Sequence, residues 1–540
     1  MRTLRALLFL IFLSSGAARG QVEVAIVFPF ENNTRNASLD WIGESFVEGL
    51  SANLSSSRLM MLGRQERAAA FDSLGIPSSN ILTSATIYKV SQALDADKVI
   101  LGSYDYSNGE FKAVAQVLSM PGPGLSKRFE ETGPLANLLE MQAGLAWQIR
   151  RFLWPNQNIL KSEYLREYKG PRLDAFENYV RGLMEKERGG QIRFYRTAQR
   201  LDPLFTKPAF ELGMLYFHDK DYATSILWLS KLRPPDPEYL EANYFLGLAH
   251  LYLEQYERSA SAFRVVARRL PINEVYNNLG IALARQERPE ALQYFEKAVQ
   301  NDSNDRDFLF NLGYAYWKRG NCEQAIPHLQ KAIRTASPPA WRVVYIQCLR
   351  QAGQTEEASR QARSLGQQEG SQWTPDMEAA KLQRLERIKN NHRDGASLRQ
   401  LIMLTELQTE IKHAKLSLAE HVELHYQQAQ QLLQEGFDRE AMEEFQRAID
   451  YSPDDPRPYR ELAQMHATRG RLEEAVKYLN QSLQQEENAE VYLSLARLYL
   501  QQGKLPEAEA QVKAVLRLDP YNTAAASLQE ELNSKSNSRP

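Results

Sequence analysis

EGFDREA at residues 435–441, RGRLEEA at 469–475 and QGKLPEA at 502–508 decide how this chain reads. Gly436, Gly470 and Gly503 stand 34 and 33 residues apart, and Ala441, Ala475 and Ala508 repeat the same two steps. Each stretch lies between two runs whose apolar residues recur at helical spacing, and Pro453 and Pro520 mark the ends of units. The unit is therefore a helix, a glycine-containing turn and a second helix. One such pair cannot bury its own apolar face, so neighbouring units must stack and share a core.

The same period runs back toward the amino terminus in a more degenerate form. From Asp174, Tyr179, Gly182, Tyr195 and Ala198 mark a first unit, and Gly213 and Tyr216 a second. Gly247, Tyr256 and Phe263 mark the third, Gly280, Ala291, Phe295 and Ala298 the fourth, and Gly313, Tyr316, Ala325 and Ala332 the fifth. A sixth runs from Ala340 to about Ser364. Small residues fall where the two helices of a pair approach closely, and the aromatics fill the grooves between pairs. The signal lapses between 365 and 418, where apolar spacing predicts helices over 377–388 and 397–416 joining two arrays. Period, turn and small-residue positions resemble the tetratricopeptide repeat. That resemblance implies a superhelix with an extended concave surface, and hence a binding protein.

Before the repeats the pattern changes. VEVAIVFPF at 22–30 reads as a buried strand and WIGESFVEGLSANL at 41–54 as an amphipathic helix. A short strand at 59–62, helices at 66–74 and 84–94, strands at 98–106 and 111–120 joined by SNGE, a weak strand near 126–130 and a helix from 135 to about 152 complete the segment. VAIVFPFENNT (24–34), the helix 41–54 and ALDADKVILGSYDYSNGEFKAVAQVLSM (93–120) resemble the domain shared by the amino-terminal part of TolB, CsgG and FlgO. There a strand ends in a Pro-Phe step, here Pro29-Phe30, and a glycine, here Gly102, sits in the first strand of a hairpin. The resemblance implies an envelope protein-binding domain without catalysis.

The expected fold class is multidomain: a small α/β domain with a mixed sheet at 21–155, then an all-α tetratricopeptide superhelix in two arrays. The first array spans 171–364 with about six units, a helical linker 365–418, and the second array 419–532 with about three units and a capping helix. Residues 533–540 are expected to be a disordered tail. Residues 1–20 have the charged start, short apolar run and small-residue exit of a secretory signal, with cleavage after Ala18 or Gly20. No later run reaches the roughly 20 apolar residues of a spanning helix. The expected location is periplasmic or outer-membrane-associated. Net charge is −2, from 65 basic and 67 acidic residues, so no whole-molecule field draws the chain to nucleic acid.

Chemistry is sparse. His421 and His425 lie four apart on a helix, but Glu423 follows the first histidine by two places, where a zinc-hydrolase motif needs it adjacent; His413 is the nearest further histidine. Gly122-Pro123-Gly124 lacks the Gly-Lys-Ser/Thr ending of a phosphate loop, and no Gly-x-Ser-x-Gly elbow occurs. No catalytic, cofactor or metal residue is assigned. Cys322 and Cys348 are the two cysteines, and a bond between them is left open. Binding is the remaining reading. Asn277 and Asn278 share a first helix, while neighbouring first helices offer Tyr244 and Phe310 where a carboxylate clamp needs cations. Phe310, Tyr314 and Trp317 either line a concave surface more aromatic than cationic or pack toward Trp341. Tyr244, Asn277, Phe310, Tyr314 and Trp317 are the candidate protein-binding residues, for envelope proteins or peptides. The expected role is an adaptor, and the alternative is a subunit that regulates a separate envelope enzyme.

Overall fold

A computed structural model describes residues 22–34, 36–56, 58–77, 82–120, 122, 124–156, 159–234, 236–334, 337–369, 386–389, 398, 401–405, 416–434 and 438–537. The expected signal segment, His413, Gly436 and most of the expected linker lie outside them. The chain divides into two compact units between Gln408 and Thr409.

The first unit opens with a seven-stranded mixed sheet. Strand β1 (Glu23–Val27) is central, pairing in parallel with β3 (Leu59–Leu62) and β4 (Lys98–Ser107). β4 turns through Asn108-Gly109 into antiparallel β5 (Glu110–Ser119). Both turn residues have positive φ, 55° and 82°, which a tight hairpin needs to match strand twist. β2 (Glu31–Asn32) pairs with β4, and β6 (Gly124–Leu125) and β7 (Phe129–Gly133) pair with β5. The weak last strand thus lies about three residues beyond its expected place, and β2 and β6 are two-residue bridges too short to leave a pattern.

Ala25 and Val27 face a core with helices α1 (Trp41–Leu54) and α4 (Leu138–Leu153), while Val24 and Ile26 point the other way and are also buried. Two covered faces explain why β1 is apolar at every place from Val24 to Val27. Helices α2 (Arg64–Leu74) and α3 (Ser84–Ala93) pack on each other. The Arg67 guanidinium from α2 reaches the buried Glu44 carboxylate at 2.5 Å. The Pro-Phe step has a physical purpose. Phe30 stacks on Phe46 of α1 at 4.2 Å, and a Cβ on Gly102 would lie 2.3 Å from the Phe30 ring. The glycine in β4 is there because that ring is.

After α5 (Lys161–Glu167) the helices pair: α6 (Leu173–Met184) with α7 (Arg188–Leu201), α8 (Lys207–His218) with α9 (Tyr222–Leu229), and α10 (Tyr239–Tyr252) with α11 (Tyr256–Arg269). Then come α12 (Asn273–Ala284) with α13 (Ala291–Asn301), α14 (Arg306–Lys318) with α15 (Cys322–Ala332), and α16 (Pro339–Gln351) with α17 (Thr355–Glu369). Each pair packs on the next. The core does not stop at the expected boundary near 155. Phe176 and Tyr179 of α6, Tyr195 of α7 and Leu212 of α8 belong to the same apolar cluster as the sheet, and Glu48 of α1 accepts from Lys207 at 3.1 Å and from the Tyr179 hydroxyl at 3.3 Å.

Within pairs, glycine sets the approach. A Cβ on Gly247 would lie 2.8 Å from the Phe263 ring, and one on Gly280 would lie 2.7 Å from that of Phe295. The turn between helices uses a second glycine position: Gly320 and Gly353 have φ of 74° and 76°, and one repeat earlier Glu287 holds φ 57° without being glycine. An L-residue there costs about 1–2 kcal/mol, partly offset by the greater chain entropy glycine loses. Glu287→Gly is therefore expected to raise stability by about 0.5–1 kcal/mol. Urea denaturation of the full chain measures this; a loss of stability would contradict the strain.

The second unit repeats the scheme by itself: α18 (Leu418–Gln434) with α19 (Asp438–Tyr451), α20 (Pro456–Thr468) with α21 (Leu472–Gln485), and α22 (Ala489–Gln501) with α23 (Leu505–Leu518). Gly470 and Gly503 take φ of 73° and 75° in the turns quoted at the outset. Helix α24 (Thr523–Asn537) closes the array, burying Ala525, Leu528 and Leu532. It runs past 532, so 533–537 are helical where a disordered start to the tail is expected. Lys535 pairs with Glu531 one turn earlier at 2.7 Å and extends the last turn.

Candidate peptide-binding site

Asn243, Asn277 and Asn311 take the same place, 34 residues apart, in α10, α12 and α14, the first helices of three successive pairs. Each is buried, and a buried amide must find partners. Asn243 donates to the Tyr239 carbonyl of its own helix at 2.8 Å. Asn277 and Asn311 look outward instead. Asn311 donates to Asn277 Oδ1 at 2.7 Å, and the chain's own residues 386–389 lie across the two helices.

The contacts are to backbone. The Arg387 N–H donates to Asn311 Oδ1 at 3.0 Å, and the Arg387 carbonyl accepts from Asn311 Nδ2 at 3.2 Å and Asn277 Nδ2 at 3.1 Å. Two residues on, the Lys389 N–H donates to Asn278 Oδ1 at 3.0 Å, and its carbonyl accepts from Asn278 Nδ2 at 2.6 Å and the Tyr244 hydroxyl at 3.0 Å. Alternate residues thus offer both backbone groups to one side, as an extended chain does at a sheet edge. The four residues run from α14 toward α10, against the order of the repeats.

Charge fixes the ends. The buried Lys389 ammonium sits 3.3 Å from Asp305 Oδ2, touches the Asp307 carboxylate, and lies 5.5 Å from the centre of the Phe308 ring. Asp305 is itself fixed, because its other oxygen caps α14 by accepting from Asp307 N–H at 2.8 Å and Phe308 N–H at 3.1 Å. Arg387 pairs with Asp307 at 2.9 Å while its side chain stays exposed, and Glu386 meets Arg285 of the turn after α12 at 2.5 Å. Burial raises the Glu386 carboxyl above its ordinary range, and Arg285 pulls it back down. Ile388 packs on the core of the array.

This geometry corrects the helix expected over 377–388 at its described end: 386–389 carry no helix. Apolar spacing extends to Ile388, but the amides of α12 and α14 take the backbone groups that a helix would bond internally.

The five candidate residues separate. Tyr244 and Asn277 meet at the bound segment. Phe310 is fully buried and stacks on Trp341 of α16 at 4.3 Å and 5°, so it is spent on packing between successive first helices. Tyr314 lies buried 5.9 Å from Phe310 and 5.5 Å from Trp317; burial pushes its phenol up, and nearby Glu386 adds to this. Trp317 is partly buried against the same core. Around 386–389 the lining is amide and carboxylate, where an aromatic surface is expected. Sequence reasoning missed Asn311, Asp305, Asp307, Arg387 and Lys389. Asn311 had a signal: it stands one repeat beyond Asn277.

Elsewhere, Cys322 and Cys348 are buried and not bonded to each other; the Cys348 thiol is 3.6 Å from the Cys322 carbonyl, and burial raises it. His421 and His425 stack on Tyr451 at 4.4 and 5.4 Å, with His425 Nδ1 2.7 Å from Glu444. Among the described residues no three His, Cys, Asp or Glu form a metal-binding group, and no helix is long and apolar enough to cross a membrane.

Tetratricopeptide-repeat models match residues 271–337, 426–486 and 468–532, so both units carry this repeat. A small mixed-sheet region followed by helical tetratricopeptide repeats is therefore the fold class of the chain. No curated protein matches it. Among solved structures it is similar to MamA at 23% identity over 27% of this chain and 86% of that one, with a TM-score of 0.26. MamA 41-end from Desulfovibrio magneticus RS-1 gives 20% over 30% and 96%, with a TM-score of 0.28. YrrB, described as a TPR protein with an unusual peptide-binding site, gives 17% over 35% and 98%, with a TM-score of 0.31.

Proposed function

We propose that this chain is an exported adaptor of the bacterial cell envelope that holds extended segments of partner proteins on the first helices of its first array. The observation that carries the reading is the set of Asn277, Asn278 and Asn311, which grips both backbone groups of alternate residues of an extended chain. Amides that read backbone accept many sequences, as an adaptor requires. Export rests on the signal-like residues 1–20, and the envelope on the resemblance of the first domain to that of TolB, CsgG and FlgO. The experiment places a photo-crosslinking amino acid at Trp317 in the full chain, expressed in its own cell. Crosslinks to envelope proteins, with a mature amino terminus near Arg19 or Gln21, are expected. A chain that keeps Met1 in the cytoplasmic fraction, or that crosslinks to nothing, would overturn the proposal.

A further inference from the structure

We infer that residues 386–389 are a built-in competitor: a resident ligand occupying the peptide-binding groove, which a partner must displace with an extended segment of the same chemistry. This deepens the adaptor reading and rests on it. The partner segment has an acid followed by basic residues at alternate places, with a lysine two residues beyond an arginine or lysine. Three observations lead here. The groove holds 386–389 through backbone groups at Arg387 and Lys389, and any extended chain supplies those. Two side chains of the four are deeply buried, Lys389 between Asp305 and Asp307 and Glu386 against Arg285, so the groove asks for a lysine and, three places before it, an acid. Ile388 is only partly buried while the charged Glu386 and Lys389 side chains are turned in, whereas a segment that served only to complete the core would bury its apolar residue and turn its charges out.

The segment belongs to the same compact unit as the groove, and its tether gives it a local concentration in the millimolar range, so the wild-type chain takes an external peptide poorly. Weakening the resident should therefore strengthen the visitor. A labelled synthetic peptide with the sequence of residues 383–392 is titrated against the full-length wild type and against Lys389→Ala, with fluorescence anisotropy as the readout. Lys389→Ala is expected to bind at least about tenfold more tightly, because the peptide lysine restores the ammonium that the substitution removes from beside Asp305 and Asp307. Adding Asn278→Ala and Asn311→Ala should abolish binding, as should replacing the peptide's own lysine by alanine.

If Lys389→Ala folds poorly, the peptide should raise its melting temperature with the logarithm of its concentration above the Kd, which gives the same answer. Equal affinity for wild type and Lys389→Ala overturns the competition. So does the absence of both binding and any rise in melting temperature. Neither result touches the adaptor reading, which stands or falls on crosslinks from Trp317.

Discussion

Lys389→Ala is expected to cost the first unit about 3–5 kcal/mol, because it leaves the carboxylates of Asp305 and Asp307 buried with no ammonium between them. The cost should come from the charge more than the stem. Lys389→Met keeps the aliphatic chain near the Phe308 ring and should recover little of the loss. Replacing Asp305 and Asp307 by asparagine in the Lys389→Met background should recover more, since that removes the buried negative charges that have lost the ammonium. Urea denaturation of each full-length variant reads the series. A loss below about 1 kcal/mol for Lys389→Ala would mean that water reaches these carboxylates and the pair is no more than a surface one.

Phe263→Ala is expected to cost about 3–5 kcal/mol by opening a cavity that its neighbours cannot fill. The ring is fully buried, fits over Gly247, and meets Tyr244 edge-on at 5.9 Å. Because the Tyr244 hydroxyl bonds the Lys389 carbonyl, the same truncation should loosen the end of the groove at α10. Urea denaturation measures the stability change, and a cost under about 1 kcal/mol would show that Gly247 and Phe263 are not tightly packed.

Much of the fold was legible because it rests on local periodicity. The helix at 41–54 and the strand at 59–62 have the bounds their patterns predict, and each of Gly182, Gly213, Gly247, Gly280 and Gly313 would, with a Cβ, crowd a side chain from the second helix of its pair. What failed was whatever depended on residues far apart in the chain. The apolar spacing around Ile388 predicts a helix, and nothing local to it says that amides 76 and 111 residues earlier claim the backbone. Phe310 and Trp341 differ in unit, so their stacking was one of two open readings until the first helices were seen side by side. The Asn243, Asn277, Asn311 series was present in the sequence but is polar, and a search for apolar and small residues passes over it. Asp305 and Asp307 look like ordinary helix-start acids, and one of them is indeed a cap as well as a partner for Lys389.

The central claim is that an extended stretch of this chain lies bonded across the first helices of its own first array, and amide hydrogen exchange at Arg387 and Lys389 tests it most directly. Each N–H donates to a buried asparagine at 3.0 Å. The full-length wild type should therefore protect both amides by at least about a hundredfold over an unstructured chain, with Ile388 between them exchanging faster, and Asn278→Ala should release Lys389 first. Exchange of Arg387 and Lys389 at the unstructured rate in the wild type would contradict the account.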